Sequence, residues 1–311
     1  MRRIKALTTL AAVLALGLSA CGSDGDPMAE NTKDASGSGG SSSAVTIGSA
    51  NFSESALLAE IYAGALEAKG VDVSTKLNIG SRELYIKGIE DGSIDVVPEY
   101  TGVLRDFFAA ESGGDVSASD PEGVYQELKK VVPDGLQVGA YSKAEDKDAL
   151  VVTSETAQKY NLSSVGDLKD DAPDLTLGAA PEFKTRPTGV PGLEKVYGVK
   201  FGTFTTTDAG GPQTLKFLTQ GRIDAANLFT TNPQIAEQDL VVLDDPESLF
   251  GSQNIVPLVR DEVAGDVLDT LDAVGQKLDT EGLTELVGKV DIDKQDPADV
   301  AAEWLKANGF A

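Results

Sequence analysis

Among its 311 residues the chain has no histidine and one cysteine. The commonest general base and metal ligand are therefore missing, as is any Cys-rich metal site or internal disulfide framework. No metal or other cofactor is expected. The groups left for chemistry are aromatic rings, arginines and carboxylates. Four rings stand just past apolar segments of strand character: Phe52, Tyr100, Phe183 and Phe229. Ligands of open parallel sheets bind beyond the carboxyl ends of the strands, so these rings belong beside a ligand cleft. Each could instead pack the core beneath it, the ordinary place of a phenylalanine. Tyr100 differs in that its hydroxyl must reach water or a partner.

The segments that would hold these rings alternate as β-α-β-α-β. Residues 44–48 form a short apolar strand. Over residues 53–70, Leu58, Ile61, Tyr62, Ala65 and Leu66 follow helical spacing, with Ser53 able to cap the start and Gly70 the end. Residues 71–79 alternate as a strand, 81–91 form a helix, and 94–97 form a strand, which predicts an α/β domain with a mostly parallel sheet. The same order returns later. Residues 47–52 match 177–183 with one insertion, Gly70-Val71 matches Gly198-Val199, and Gly92-Ser93-Ile94-Asp95 matches Gly221-Arg222-Ile223-Asp224. The span from Ile47 to Asp95 is 48 positions and that from Leu177 to Asp224 is 47. Five residues past each Asp stands an aromatic followed by threonine, Tyr100-Thr101 and Phe229-Thr230. The repeat predicts two similar α/β lobes whose carboxyl edges face each other across one cleft.

Polar candidates lie at the same edges. Asn51 and Ser53 flank one helix start and Ser81 begins another, and free N–H groups at such starts suit a carboxylate. Arg82 and Arg186 could clamp a carboxylate bidentately, or each could be an interlobe or surface salt bridge.

The charge is strongly acidic, with 50 Asp+Glu against 26 Lys+Arg. Nucleic acid and a polybasic membrane contact are both excluded as partners by that balance. A P-loop, G-x-S-x-G, H-E-x-x-H and any Cys–His pair are absent, so a binding protein is expected rather than an enzyme. At the start, Arg2, Arg3 and Lys5 precede an apolar run over residues 7–18, too short for a bilayer needing about 20 residues. The run ends in Leu18-Ser19-Ala20-Cys21, which resembles the lipobox of bacterial lipoproteins. That resemblance implies a signal peptide over residues 1–20 and lipid on Cys21. Residues 21–43, rich in Gly and Ser, read as a flexible linker. The expected location is the outer face of the cell membrane, held by the lipid alone.

Residues 47–54, Gly80-Ser81-Arg82-Glu83, Ile94-Asp95-Val96-Val97-Pro98-Glu99-Tyr100-Thr101-Gly102 and Leu228-Phe229-Thr230-Thr231 resemble substrate-binding proteins of osmoprotectant ABC importers. That family takes up glycine betaine, choline, carnitine and related quaternary amines. The resemblance implies a type II periplasmic-binding-protein-like clamshell, with residues 44–145 and 253–311 in the first lobe and 146–252 in the second. The crossings would lie near residues 141–152 and 244–258, and Trp304 would pack as core. A monomer that delivers a small ligand to permease subunits is the implied assembly. In the family a box of rings holds the quaternary ammonium group, because ring faces attract a cation that has no N–H donors. Tyr100 and Phe229 stand at two box positions. Asp148 stands at a third, where it could offset a ligand cation or be a solvated charge in Glu145-Asp146-Lys147-Asp148; Leu215 stands at a fourth. The implied ligand set is Asn51, Phe52, Ser81, Arg82, Tyr100, Thr101, Asp148, Phe183, Arg186, Phe229 and Thr230.

Overall fold

The computed structural model describes residues 44–114 and 116–310. The expected signal peptide, lipidated Cys21 and linker lie outside the described residues. Two five-stranded sheets form, each the centre of a lobe. The first has β1 (Val45–Ala50), β2 (Val73–Gly80), β3 (Val96–Tyr100), β4 (Leu136–Val138) and β10 (Ile255–Arg260), in the order β2-β1-β3-β10-β4. The second has β5 (Asp148–Thr153), β6 (Thr176–Ala179), β7 (Thr203–Thr206), β8 (Ala225–Phe229) and β9 (Leu240–Val242), in the order β7-β6-β8-β5-β9.

The repeat seen in the sequence has a shared structural cause. Asp95 and Asp224 each reach back to the strand that opens their repeat, β1 or β6: Thr46 N donates to Asp95 Oδ2 and Thr176 N to Asp224 Oδ2, both at 2.8 Å. The glycine of each G-x-I-D turn has a left-handed backbone, φ 77° at Gly92 and 65° at Gly221, which a Cβ would disfavour. Between glycine and aspartate, Ile94 and Ile223 are buried. Glycine for the turn, isoleucine for the core and aspartate for the edge backbone explain why the three recur together.

Each sheet is mostly parallel as expected, with four strands running one way, and is mixed because one strand runs against the rest. β1 pairs parallel with β2 and β3, but β10 runs antiparallel to β3 and β4. β5 is likewise antiparallel to β8 and β9. Both β5 and β10 are entered from the other lobe rather than through a β-α-β crossover, so the right-handed crossover rule does not fix their direction. In the second lobe the helix expected between β6 and β7 is shortened. A single turn, Pro181–Lys184, is followed by the contiguous helical segment Val190–Gly192 and Leu193–Tyr197, which starts only after Pro187.

Three helices place the site. α1 (Ser53–Glu67) follows β1, α2 (Arg82–Glu90) follows β2 and α3 (Thr101–Ser112) follows β3. Ser53 does not cap α1. Phe52 holds the N-cap position, and the Ser53 hydroxyl, already inside the first turn, donates to Asp291 Oδ2 at 2.9 Å. The other face of α1 carries Leu58, Ile61, Tyr62, Ala65 and Leu66 into a core shared with the helices Asp261–Gly275, Thr280–Asp291 and Pro297–Ala307. Trp304 stacks on Phe310, with centroids 6.0 Å apart, at the rim of that core rather than inside it. The chain passes between lobes twice, and the passages pair with each other: Glu145 bridges Asn254, and Asp146 N donates to the Gln253 carbonyl at 3.1 Å.

Candidate functional site

Three of the four rings meet where the lobes face each other. Phe52 at the start of α1 lies 5.0 Å from Phe229 and 6.1 Å from Tyr100, centroid to centroid. Tyr100 ends β3 and Phe229 ends β8, so the repeat puts one on each side. Phe183 is buried in the core of the second lobe and also borders the same cavity. The cavity has a volume of about 60 Å³. That is well below the ~150 Å³ that admits a benzene ring, so the lobes must part for a ligand to enter.

Asn51, Ser81, Arg82, Asp148 and Arg186 join these rings around the cavity. Asp148 opens β5 directly opposite Phe229 on β8 and accepts from Asn227 Nδ2 at 2.9 Å. Both arginines form ion pairs. Arg82 is buried and donates through Nε and Nη2 to Glu99 at 2.8 Å each. Tyr85 Oη and Tyr100 N also donate to Glu99, at 2.8 and 3.0 Å. Burial alone would push the Arg82 pKa down; the Glu99 carboxylate outweighs it and raises it. Arg186, in the second lobe, donates through Nε and Nη2 to Glu83 in the first lobe at 3.1 Å each, so it is the interlobe bridge. Partial burial pushes the Glu83 carboxyl up, but its bonds to Arg186 and Ser81 prevail and hold it at about 2.

Thr101, Thr230 and Leu215 lie elsewhere. Thr101 is fully buried and its hydroxyl accepts from Asn254 N in the return crossing. The Thr230 hydroxyl accepts from Lys147 N at 2.8 Å in the first crossing. Both threonines therefore tie strand ends to the hinge. Leu215 packs with Ala226 and Leu228 in the core of the second lobe, away from the cavity. The fourth box position of the resemblance thus falls in the core here, because the helix Pro212–Thr219 turns that face to its own sheet.

Sequence reasoning missed a pair of buried acids behind the rings. Glu54 and Asp146 are 3% and 2% exposed. Tyr100 Oη donates to Glu54 Oε1 at 2.6 Å, and Thr231 Oγ1, from the second lobe, to Glu54 Oε2 at 2.5 Å. Asp146 accepts from Thr231 N at 3.0 Å and Thr230 Oγ1 at 3.3 Å. Burial raises both carboxyls, and for Asp146 the Glu54 charge adds to it. Asn227 was also missed, although it sits two residues before Phe229 on β8 and so shares its face.

A pH dependence follows. The native state binds more protons than the unfolded chain wherever these carboxyls are raised, so stability falls as pH rises through that window. The contribution is whole below the ordinary values of 4.5 for Glu54 and 3.8 for Asp146 and is lost above them. Asp148 and Asp291 also face these carboxyls and oppose added negative charge, whereas the Tyr100 and Thr231 hydrogen bonds favour it without outweighing burial. Glu54→Gln is expected to raise the melting temperature at pH 8 by a few degrees and to leave it unchanged or lower at pH 4. Thermal unfolding at the two pH values checks this; an equal shift at both contradicts it.

Comparison with known proteins places this arrangement. Residues 43–307 match the model of the substrate binding domain of ABC-type glycine betaine transport system. The chain is similar to the glycine betaine-binding protein YehZ of Escherichia coli, 28% identical over 86% of this chain and 92% of that protein. It is also similar to a glycine-betaine-binding protein of Pseudomonas aeruginosa, 29% identical over 84% of this chain and 86% of that one. Among solved structures, apo YehZ covers 86% of this chain over its full length, with TM-score 0.60 and 28% identity. A glycine betaine/carnitine/choline ABC transporter structure at 24% identity shares the fold, with TM-score 0.65 over 86% of this chain and 99% of that one. The two lobes are those of a type II periplasmic binding protein. The chain belongs to the family of substrate-binding domains of ABC-type glycine betaine transport systems.

Proposed function

We propose that the protein captures a quaternary amine between its lobes and hands it to an ABC import permease, as a monomer tethered outside the membrane through lipid on Cys21. The observation that carries this reading is the meeting of Phe52, Tyr100 and Phe229 from both lobes at 5.0 and 6.1 Å. A quaternary ammonium group offers no N–H to a hydrogen-bond acceptor, and ring faces are the groups that attract it. Relatives named for glycine betaine and carnitine support the ligand class. The lipobox-like Leu18–Cys21 segment supports the anchor. Asn51, Ser81 and Asp148 complete the ligand set, with Phe183 behind the rings; Arg82 and Arg186 shape the wall through their ion pairs. Calorimetric titration of the purified protein with choline and with glycine betaine tests the reading. Saturable 1:1 binding of at least one is expected, and binding of neither overturns it.

A further inference from the structure

The cationic groups of the cleft are already held by the protein's own carboxylates. Glu99 balances the charge of Arg82 and fills its Nε–Nη2 edge, at 2.8 Å for both bonds. That of Arg186 is filled by Glu83, at 3.1 Å for both, with Glu182 at 4.0 Å from the same guanidinium. Each pairing takes one of the two edges by which an arginine could hold a ligand carboxylate and leaves its charge already matched. Glu83 stands in the first turn of α2. The helix start that would suit an incoming anion is therefore served by a built-in one.

Asp148 is in the opposite condition. It borders the cavity, and its side chain takes one hydrogen bond, from Asn227 Nδ2 at 2.9 Å. Among the described residues no lysine or arginine pairs with it. Around the cavity, then, two arginines with carboxylate partners of their own stand against Asp146, Asp148 and Glu182. A ligand cation that came to rest against Phe229 would lie beside the Asp148 carboxylate, since the two residues are directly paired across β5 and β8.

We propose that the cleft selects its ligand by net charge: it takes an organic monocation without a carboxylate, Asp148 supplies the counter-charge, and Glu83 and Glu99 neutralise both arginines and so weaken their pull on a ligand anion. This rests on the quaternary-amine reading and narrows it. Within that class the fit is a choline-like molecule, cationic at one end and neutral at the other. A zwitterion such as glycine betaine would bring its carboxylate to a wall whose arginines are already engaged.

Choline and glycine betaine share a trimethylammonium group and differ in a hydroxymethyl against a carboxylate, so the pair isolates the charge. Calorimetry on the full-length protein at neutral pH is expected to give choline a Kd at least about tenfold lower, a difference of about 1.4 kcal/mol. Asp148→Asn, checked for an unchanged melting temperature, is expected to shrink that ratio by about tenfold. Glycine betaine binding as tightly as choline, or tighter, overturns the inference and leaves the quaternary-amine reading standing. Binding of neither overturns both. A choline preference that survives Asp148→Asn undiminished overturns Asp148 as the selecting residue. Should that variant not fold, the wild-type ratio alone decides the charge claim.

Discussion

Replacing Glu99 with alanine is expected to cost about 3–5 kcal/mol of folding stability, the range for removing one partner of a buried ion pair. Glu99 is fully buried and accepts four hydrogen bonds, from Arg82 Nε and Nη2, Tyr85 Oη and Tyr100 N. Its loss strands the Arg82 guanidinium, itself buried, without a counter-charge, and leaves a tyrosine hydroxyl and a backbone N–H unserved. Glu99→Gln keeps the shape and part of the acceptor set, so its cost should be smaller. Urea unfolding of the three proteins measures the series. A loss under about 1 kcal/mol for Glu99→Ala would be the behaviour of an exposed pair and would contradict this placement.

Phe52→Ala is expected to weaken amine binding by roughly 30-fold or more. A ring on a desolvated cation contributes up to about 2 kcal/mol, which is about 30-fold in Kd. Phe52 has a second role that Tyr100 and Phe229 lack. It is the ring that touches both, at 6.1 and 5.0 Å, and so couples the first lobe to the second. Each aromatic pair is worth about 0.5–1.5 kcal/mol beyond area burial, and the Phe52–Phe229 pair exists only when the lobes are together. The helix start should tolerate the change, because Phe52 occupies the N-cap position of α1 without a side-chain cap. A folded variant whose Kd moves less than about twofold would remove Phe52 from the site.

Much of the scaffold was legible because it repeats. The G-x-I-D turns carry the same three physical demands in both lobes, so Asp95 and Asp224 located equivalent strands, and from them Tyr100 and Phe229. Less legible was anything set by pairing between distant segments. Asp148 is opposite Phe229 only because β5 enters the second sheet antiparallel from the crossing, a direction that no local spacing encodes. Glu54 was masked by its place in the first turn of an amphipathic helix, where an acid ordinarily answers the helix dipole in solvent. Here the closing of the second lobe buries it under Thr231. Asp146 was hidden inside a charge run whose four members meet different fates: Glu145 and Lys147 pair with each other, Asp148 borders the cavity and Asp146 is buried. Arg186 left ligand clamp and salt bridge open in the sequence, and its partner Glu83, 103 residues away, settles its contact as the bridge.

On the proposed function, the two lobes close on a ligand held by rings from both. Small-angle X-ray scattering of the protein, with and without whichever of choline or glycine betaine calorimetry shows to bind, tests it most directly. The cavity of about 60 Å³ in the closed arrangement requires an open form for entry, and hinge closure around the ligand is the transition such folds use. A smaller radius of gyration is expected at saturating ligand; superimposable curves in the presence of proven binding would rule closure out.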